Sequence, residues 1–122
     1  MGKGKVMLVF GATGDRDKAK RPVMGEVAAK FADRVFLTDD ETYTENPAKI
    51  RQSVMAGIEK AGGSAKTTEV EDRGQAIKMA ITEAKAGDTI LITGLGHQKD
   101  RNLGGKLVAW SDAEVAQQYL KA

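Results

Sequence analysis

The sequence contains no cysteine. A disulfide framework, a thiolate zinc site and a cysteine nucleophile are therefore excluded. A single histidine, His97, leaves no multi-histidine metal site and gives little support to a serine–histidine triad. No metal ligand and no catalytic residue is assigned. Neither sign of charge dominates, since 19 Lys and Arg against 17 Asp and Glu give a net charge of +2. That balance does not suit a protein that coats nucleic acid or a membrane, and neither is an expected partner. No run approaches the ~20 apolar residues of a membrane span. The apolar stretch in the opening MGKGKVMLVFGATG is too short for a signal peptide and runs into a glycine turn, so a cytoplasmic location is expected.

What is present is the composition of one globular domain, residues 1–122. Val6 to Phe10 and Val35 to Thr38 are apolar runs of the kind buried in a parallel sheet, and Thr89 to Thr93 is a third. Thr67 to Val70 is a weaker strand, and Leu107 to Trp110 a short one expected to pair back antiparallel after a turn over 98–106. Between them lie helical periodicities. Val23, Val27, Ala28 and Phe31 follow Pro22, while Ile50, Val54 and Ile58 follow the Asn46-Pro47 start. Ala76, Ile77, Ala80, Ile81 and Ala84 follow the Asp72/Gln75 capping pair. Ser111 and Glu114 open a last helix through Val115, Tyr119 and Leu120, and Trp110 reads as a core residue. The order β-α-β-α-β-α-β-β-α predicts an α/β fold: a Rossmann-like, mostly parallel sheet with helices on both faces and one short antiparallel strand near the C-terminus.

In such sheets ligands bind beyond the carboxyl ends of the strands. Three loops leave that edge. The first, Gly11 to Arg21, carries Gly11 and Gly14 and then Arg16, Lys18, Lys20 and Arg21. It reads either as a solvated charged loop or as an arginine fork for a carboxylate or phosphate. The dinucleotide fingerprint is approached but not met. Its third glycine falls at Asp17, and Pro22 delays the helix by about two turns. The second loop, Asp39 to Asn46, holds four acids. Glu45 suits a helix start, whereas Asp39, Asp40 and Glu41 leave ribose, metal and ammonium binding open. The third, Gly94-Leu95-Gly96-His97-Gln98, frees backbone groups for a ligand, and His97 fits a structural role as readily as a site role.

Taken together, these loops resemble the C-terminal domain of the Mur ligases, and most of all the branch that adds the third residue of the peptidoglycan peptide. That branch has a strand ending in F-G, then G-D-R-D-x-x-K-R-P-x-M-G. Here Phe10-Gly11 is followed by Gly14-Asp15-Arg16-Asp17-Lys18-Ala19-Lys20-Arg21-Pro22-Val23-Met24-Gly25. Phe31-Ala32-Asp33 matches the end of the family's first helix, and Thr38 to Tyr43 stands at T-x-D-N-P-R. Asp72 to Ile77 matches D-R-x-x-A-I, and Ala84 to Asp88 matches A-K-x-G-D. Gly94 to Gln98 stands at G-K-G-H-E, and Ser111 to Val115 matches S-D-x-E-V.

The resemblance implies a domain that holds an incoming amino acid and closes over a central ATPase domain. There, ATP and magnesium would activate the carboxylate of a UDP-N-acetylmuramoyl (UDP-MurNAc) peptide. By match, Arg16 would bind the incoming carboxylate. Asp40, Glu41 and Tyr43 would form the selectivity loop, and Gly94, His97 and Gln98 would face the far amino group. Lys18, Lys20 and Arg21 would stand on the anion side. Asp40-Glu41-Thr42-Tyr43 replaces D-N-P-R, so the arginine that would grip a second carboxylate is absent, and a basic amino acid such as lysine or ornithine is expected. Leu95 and Gln98 replace the lysine and glutamate of G-K-G-H-E. The family's D-Y-A-H-x-P segment and its phosphate loop do not occur in this sequence. The chain is therefore expected to be one domain of a larger ligase, inactive alone and without a cofactor of its own. An NAD(P)-binding domain and a non-catalytic α/β scaffold are the alternatives.

Overall fold

The computed structural model describes residues 4–12, 19–39, 45–85 and 87–92, together with the backbone of 100–103 and 106–109. Strand β1 (Val6–Phe10) leads to helix α1 (Lys20–Phe31), and β2 (Arg34–Leu37) to α2 (Pro47–Lys60). A 3-10 turn, Ser64–Lys66, precedes β3 (Thr67–Glu69), which leads to α3 (Arg73–Glu83) and β4 (Thr89–Ile92). These four strands form one parallel sheet in the order β3-β2-β1-β4. The α/β architecture expected from the alternation of runs and periodicities is the one observed.

Local chemistry sets the helix ends. Asn46 caps α2 by accepting from the amides of Ala48 and Lys49, with Pro47 in the first helical position. Asp72 caps α3 by accepting from the amide of Gln75. After α2 the chain turns at Gly62, whose φ of 78° lies where a side chain is disfavoured.

The helices pack on both faces of the sheet. On one, Leu8, Phe10, Val35 and Leu37 meet Ala28, Ala29, Ile50, Val54 and Ile58. On the other, Met7, Val9 and Phe36 meet Ala76, Ile77 and Ala80. The stripe expected on α1 is only partly buried. Ala28 is in the core, but Val23 and Val27 are each 55% exposed and Phe31 48%. The cause is the way α1 meets α2, backbone against backbone through Gly25 and Gly57. The large apolar residues are thereby turned aside, to a groove of about 500 Å³ floored by Leu8 and Phe10.

Antiparallel pairing near the C-terminus is present as a two-stranded ladder, β5 (Asp100–Leu103) with β6 (Lys106–Ala109). Strand β5 lies within the stretch expected to be a turn. The polar sequence Asp100-Arg101-Asn102 gives no strand signal of its own, and the pairing comes from β6. Trp110 and the expected last helix lie outside the described residues. No helix among the described residues is long and apolar enough to cross a membrane.

At the amino edge of the sheet, two carboxylates hold backbone amides. Asp33 accepts from Val6, and Asp88 accepts from both Lys5 and Lys85. The amides of Lys85 and Lys5 hold the Asp88 carboxyl below its ordinary 3.8. A depressed carboxylate adds stability above its unfolded pKa and loses it as pH falls through the folded value. Asp88→Asn should therefore lower the melting temperature most at neutrality. The gap from the parent should close as pH drops below 3.8. Melts across that range are the check, and a pH-independent gap would contradict the assignment.

Candidate functional site at the carboxyl edge of the sheet

Because the four strands run parallel, Phe10, Leu37, Glu69 and Ile92 end on one edge. The helices α1, α2 and α3 begin there. The edge is tied together by backbone bonds: Thr38 donates its amide to Phe10, and Val70 donates to Leu37. The Thr38 hydroxyl donates to the carbonyl of Glu71.

Three arginines are buried at this edge. Arg51 of α2 donates through Nη1 to Asp39 at 2.5 Å and through Nε to Glu69 at 2.7 Å. Burial alone would lower the Arg51 pKa, but hydrogen bonds to Glu69 and Asp39, and the charge of both, outweigh it and raise the value. Arg73, the first residue of α3, is fully buried and donates to the Asp39 carbonyl at 3.1 Å. Arg21 of α1 forms a two-pronged pair with Glu45, at 2.5 and 2.8 Å. Both ends of the segment between β2 and α2 are thus held by guanidinium groups from surrounding helices.

This placement revises the reading of Arg21. Expected on the anion side of the site, it is 2% exposed and directs its fork at Glu45. Glu45 in turn is an ion-pair partner as well as an acid near a helix start. Lys20 remains exposed and lines the α1 groove. Arg16, Lys18, Asp40, Glu41, Tyr43, Gly94, His97 and Gln98 lie outside the described residues. Among the described residues, no group of three His, Cys, Asp or Glu stands together as a metal-ligand set.

Arg51 belongs to no motif in the sequence, and Arg73 enters it only as the second letter of D-R-x-x-A-I. The available signal was their register. Arg73 shares a stripe with Ala76, Ile77 and Ala80, and Arg51 with Val54 and Ile58. An arginine on an apolar stripe must be paired if it is buried.

A four-stranded parallel sheet with helices on both faces and a braced polar carboxyl edge defines a doubly wound α/β domain. The Mur ligase glutamate ligase domain matches residues 1–96, and the chain belongs to that family. It is 45% identical over 117 residues to the UDP-N-acetylmuramoyl-L-alanyl-D-glutamate--2,6-diaminopimelate ligase of Rickettsia typhi, covering 96% of this chain and 23% of that protein. The ligase of the same name from Prochlorococcus marinus is 44% identical over 124 residues, covering 98% and 23%. A solved structure of a ligase of this name superposes with a TM-score of 0.88 at 34% identity, over 96% of this chain and 24% of that one. The chain therefore spans about a quarter of the length of the relatives it matches.

The comparisons give no support to the dinucleotide-binding alternative. The fold disagrees with it too, because α1 starts at Lys20, well beyond Gly11 and Gly14. In the dinucleotide fingerprint the helix opens within the glycine motif.

Proposed function

We propose that this domain binds the amino acid that an ATP-dependent ligase joins to a UDP-MurNAc peptide in peptidoglycan synthesis, in the cytoplasm. The observation that carries the reading is the G-D-R-D-x-x-K-R-P-x-M-G sequence running from the end of β1 into α1, in a chain of this family. ATP, with magnesium, would supply the phosphoryl group that turns the peptide carboxylate into an acyl phosphate. The amine of the incoming amino acid would then attack the acyl carbon, forming the C–N bond as phosphate leaves and the amine gives up a proton. Both would be held by the remainder of the ligase, and the amino acid by this domain.

In this reading Arg16 forks onto the α-carboxylate and so aims the neighbouring amine at the acyl carbon. Asp40, Glu41 and Tyr43 read the side chain, Gly94, His97 and Gln98 face its far end, and Lys18 and Lys20 lie toward the phosphates. In the complete ligase, Arg16→Ala should raise the amino-acid KM roughly ten- to a hundredfold, the worth of a charge-assisted pair of about 1.5–3 kcal/mol. An unchanged KM would refute the assignment.

The side chain accepted is a separate question. The relatives are named for 2,6-diaminopimelate. The sequence Asp40-Glu41-Thr42-Tyr43 favours a basic amino acid, because a second carboxylate would meet acids and no arginine there. Competition among L-lysine, L-ornithine and meso-diaminopimelate on the complete ligase decides it. A higher kcat/KM for diaminopimelate would overturn the charge argument.

A further inference from the structure

The three buried arginines share a placement. Each lies on the buried stripe of its helix, near the end at the carboxyl edge: Arg21 ahead of Gly25 and Ala28, Arg51 ahead of Val54, and Arg73 ahead of Ala76. Apolar side chains in place of both partners of a pair would serve core stability about as well, since a buried ion pair is often no better than packed hydrocarbon. For Arg21 and Arg73 the first helical turn is also the wrong end of the helix dipole for a cation. What the arginines hold is one stretch of chain. Arg51 and Arg73 grip Asp39 where it leaves β2, and Arg21 grips Glu45 where it approaches α2.

From this juxtaposition we infer that Arg21, Arg51 and Arg73 are positioning residues for amino-acid selection, fixing both ends of the β2–α2 segment from three separate helices. The inference rests on the reading above, in which Asp40, Glu41 and Tyr43 face the incoming amino acid. The guanidinium groups act through the segment. The fork of Arg21 is directed at Glu45, and that of Arg51 bridges Asp39 and Glu69. Discrimination between side chains requires placement to within about 0.5 Å, and two-pronged pairs restrict orientation as well as distance.

Arg21→Lys and Arg51→Lys keep the charge and remove the fork. In the complete ligase each should raise the amino-acid KM roughly tenfold, the scale of a small misplacement. The KM values for ATP and for the UDP-MurNAc peptide should stay unchanged, and the ratio of kcat/KM between lysine and diaminopimelate should narrow. A fall in kcat that merely tracks the folded fraction, with the amino-acid KM and that ratio unmoved, would overturn the inference. Wild-type turnover independent of added amino acid would instead sink the preceding reading, and the selection role with it. Hydrogen exchange on the 122-residue chain then reports the brace itself. Arg51→Lys should speed exchange in the peptide covering 38–46, and unchanged exchange there would overturn the brace.

Discussion

Replacing Gly57 by alanine should destabilise the domain by about 3 kcal/mol, although alanine is the better helix former by ~1 kcal/mol. The reason is the crossing of α1 and α2. A Cβ on Gly57 would stand 1.8 Å from the carbonyl oxygen of Pro22 and 2.6 Å from its carbon. On the facing helix, a Cβ on Gly25 would stand 2.1 Å from the carbonyl oxygen of Val54. These obstacles are backbone, so no rotamer change relieves them and the helices must move apart. Ordinary overpacking costs about 1–3 kcal/mol, and an obstacle that cannot yield belongs at the top of that range. For a domain of this size the melting temperature should fall by roughly 10 °C. Gly62→Ala is the internal comparison. Nothing stands within 4 Å of its Cβ, and its positive φ alone costs about 1–2 kcal/mol. A Gly57→Ala loss no larger than the Gly62→Ala loss would show that the helices separate freely.

Arg51→Met should cost roughly 3–5 kcal/mol in denaturant unfolding at neutral pH, because it removes the cationic half of a buried ion pair. Asp39 is 8% exposed and loses its 2.5 Å partner, whereas Glu69, with its side chain 43% exposed, can turn to water. Most of the loss should therefore trace to Asp39. The double variant Arg51→Met with Asp39→Asn should recover a large part of it, since the amide carries no charge to strand. Glu83→Ala sets the scale for a surface pair. It removes a half-exposed partner of Arg34 and should cost no more than about 1 kcal/mol. An Arg51→Met loss as small as that of Glu83→Ala would contradict this, and would mean that water or Arg73 compensates the Asp39 charge.

The parts of this fold that were legible in the sequence are those in which large apolar side chains mark the core. Val35, Phe36 and Leu37 form an unbroken run and are fully buried in β2. Ile50, Val54 and Ile58 mark the inner face of α2, and Asn46 with Pro47 marks its start. On α1 the same rule held only at Ala28. Where two helices touch through their backbones, smallness selects the inner residues, and Gly25, Ala28 and Ala29 carry a weaker hydrophobic signal than Val23, Val27 and Phe31.

The carboxyl edge to which the candidate site is assigned was legible in the sequence. Buried parallel strands place the charged loops on one edge, and the motif resemblance names the residues within them. The brace was hidden because composition counts an arginine as surface. Arg21 and Arg73 are motif letters, but their burial, like that of Arg51, shows only when each is read in register with the apolar residues that follow it. Two motif letters gain a physical meaning from the structure: Asp33 and Asp88 hold backbone amides at the opposite edge of the sheet.

The close crossing of α1 and α2 bears on how such a domain can diversify. Arg21 and Arg51 project from these two helices, so the glycine contact that sets the helix separation also sets the span between the anchors at Asp39 and Glu45. Mutational drift in the crossing would shift the anchors and destabilise the domain at the same time. In sequence, residues 40–44 fall between the two anchors and outside both helices of the crossing. Under the proposed reading, substitutions there would change the amino acid accepted while leaving the helix contact as it is.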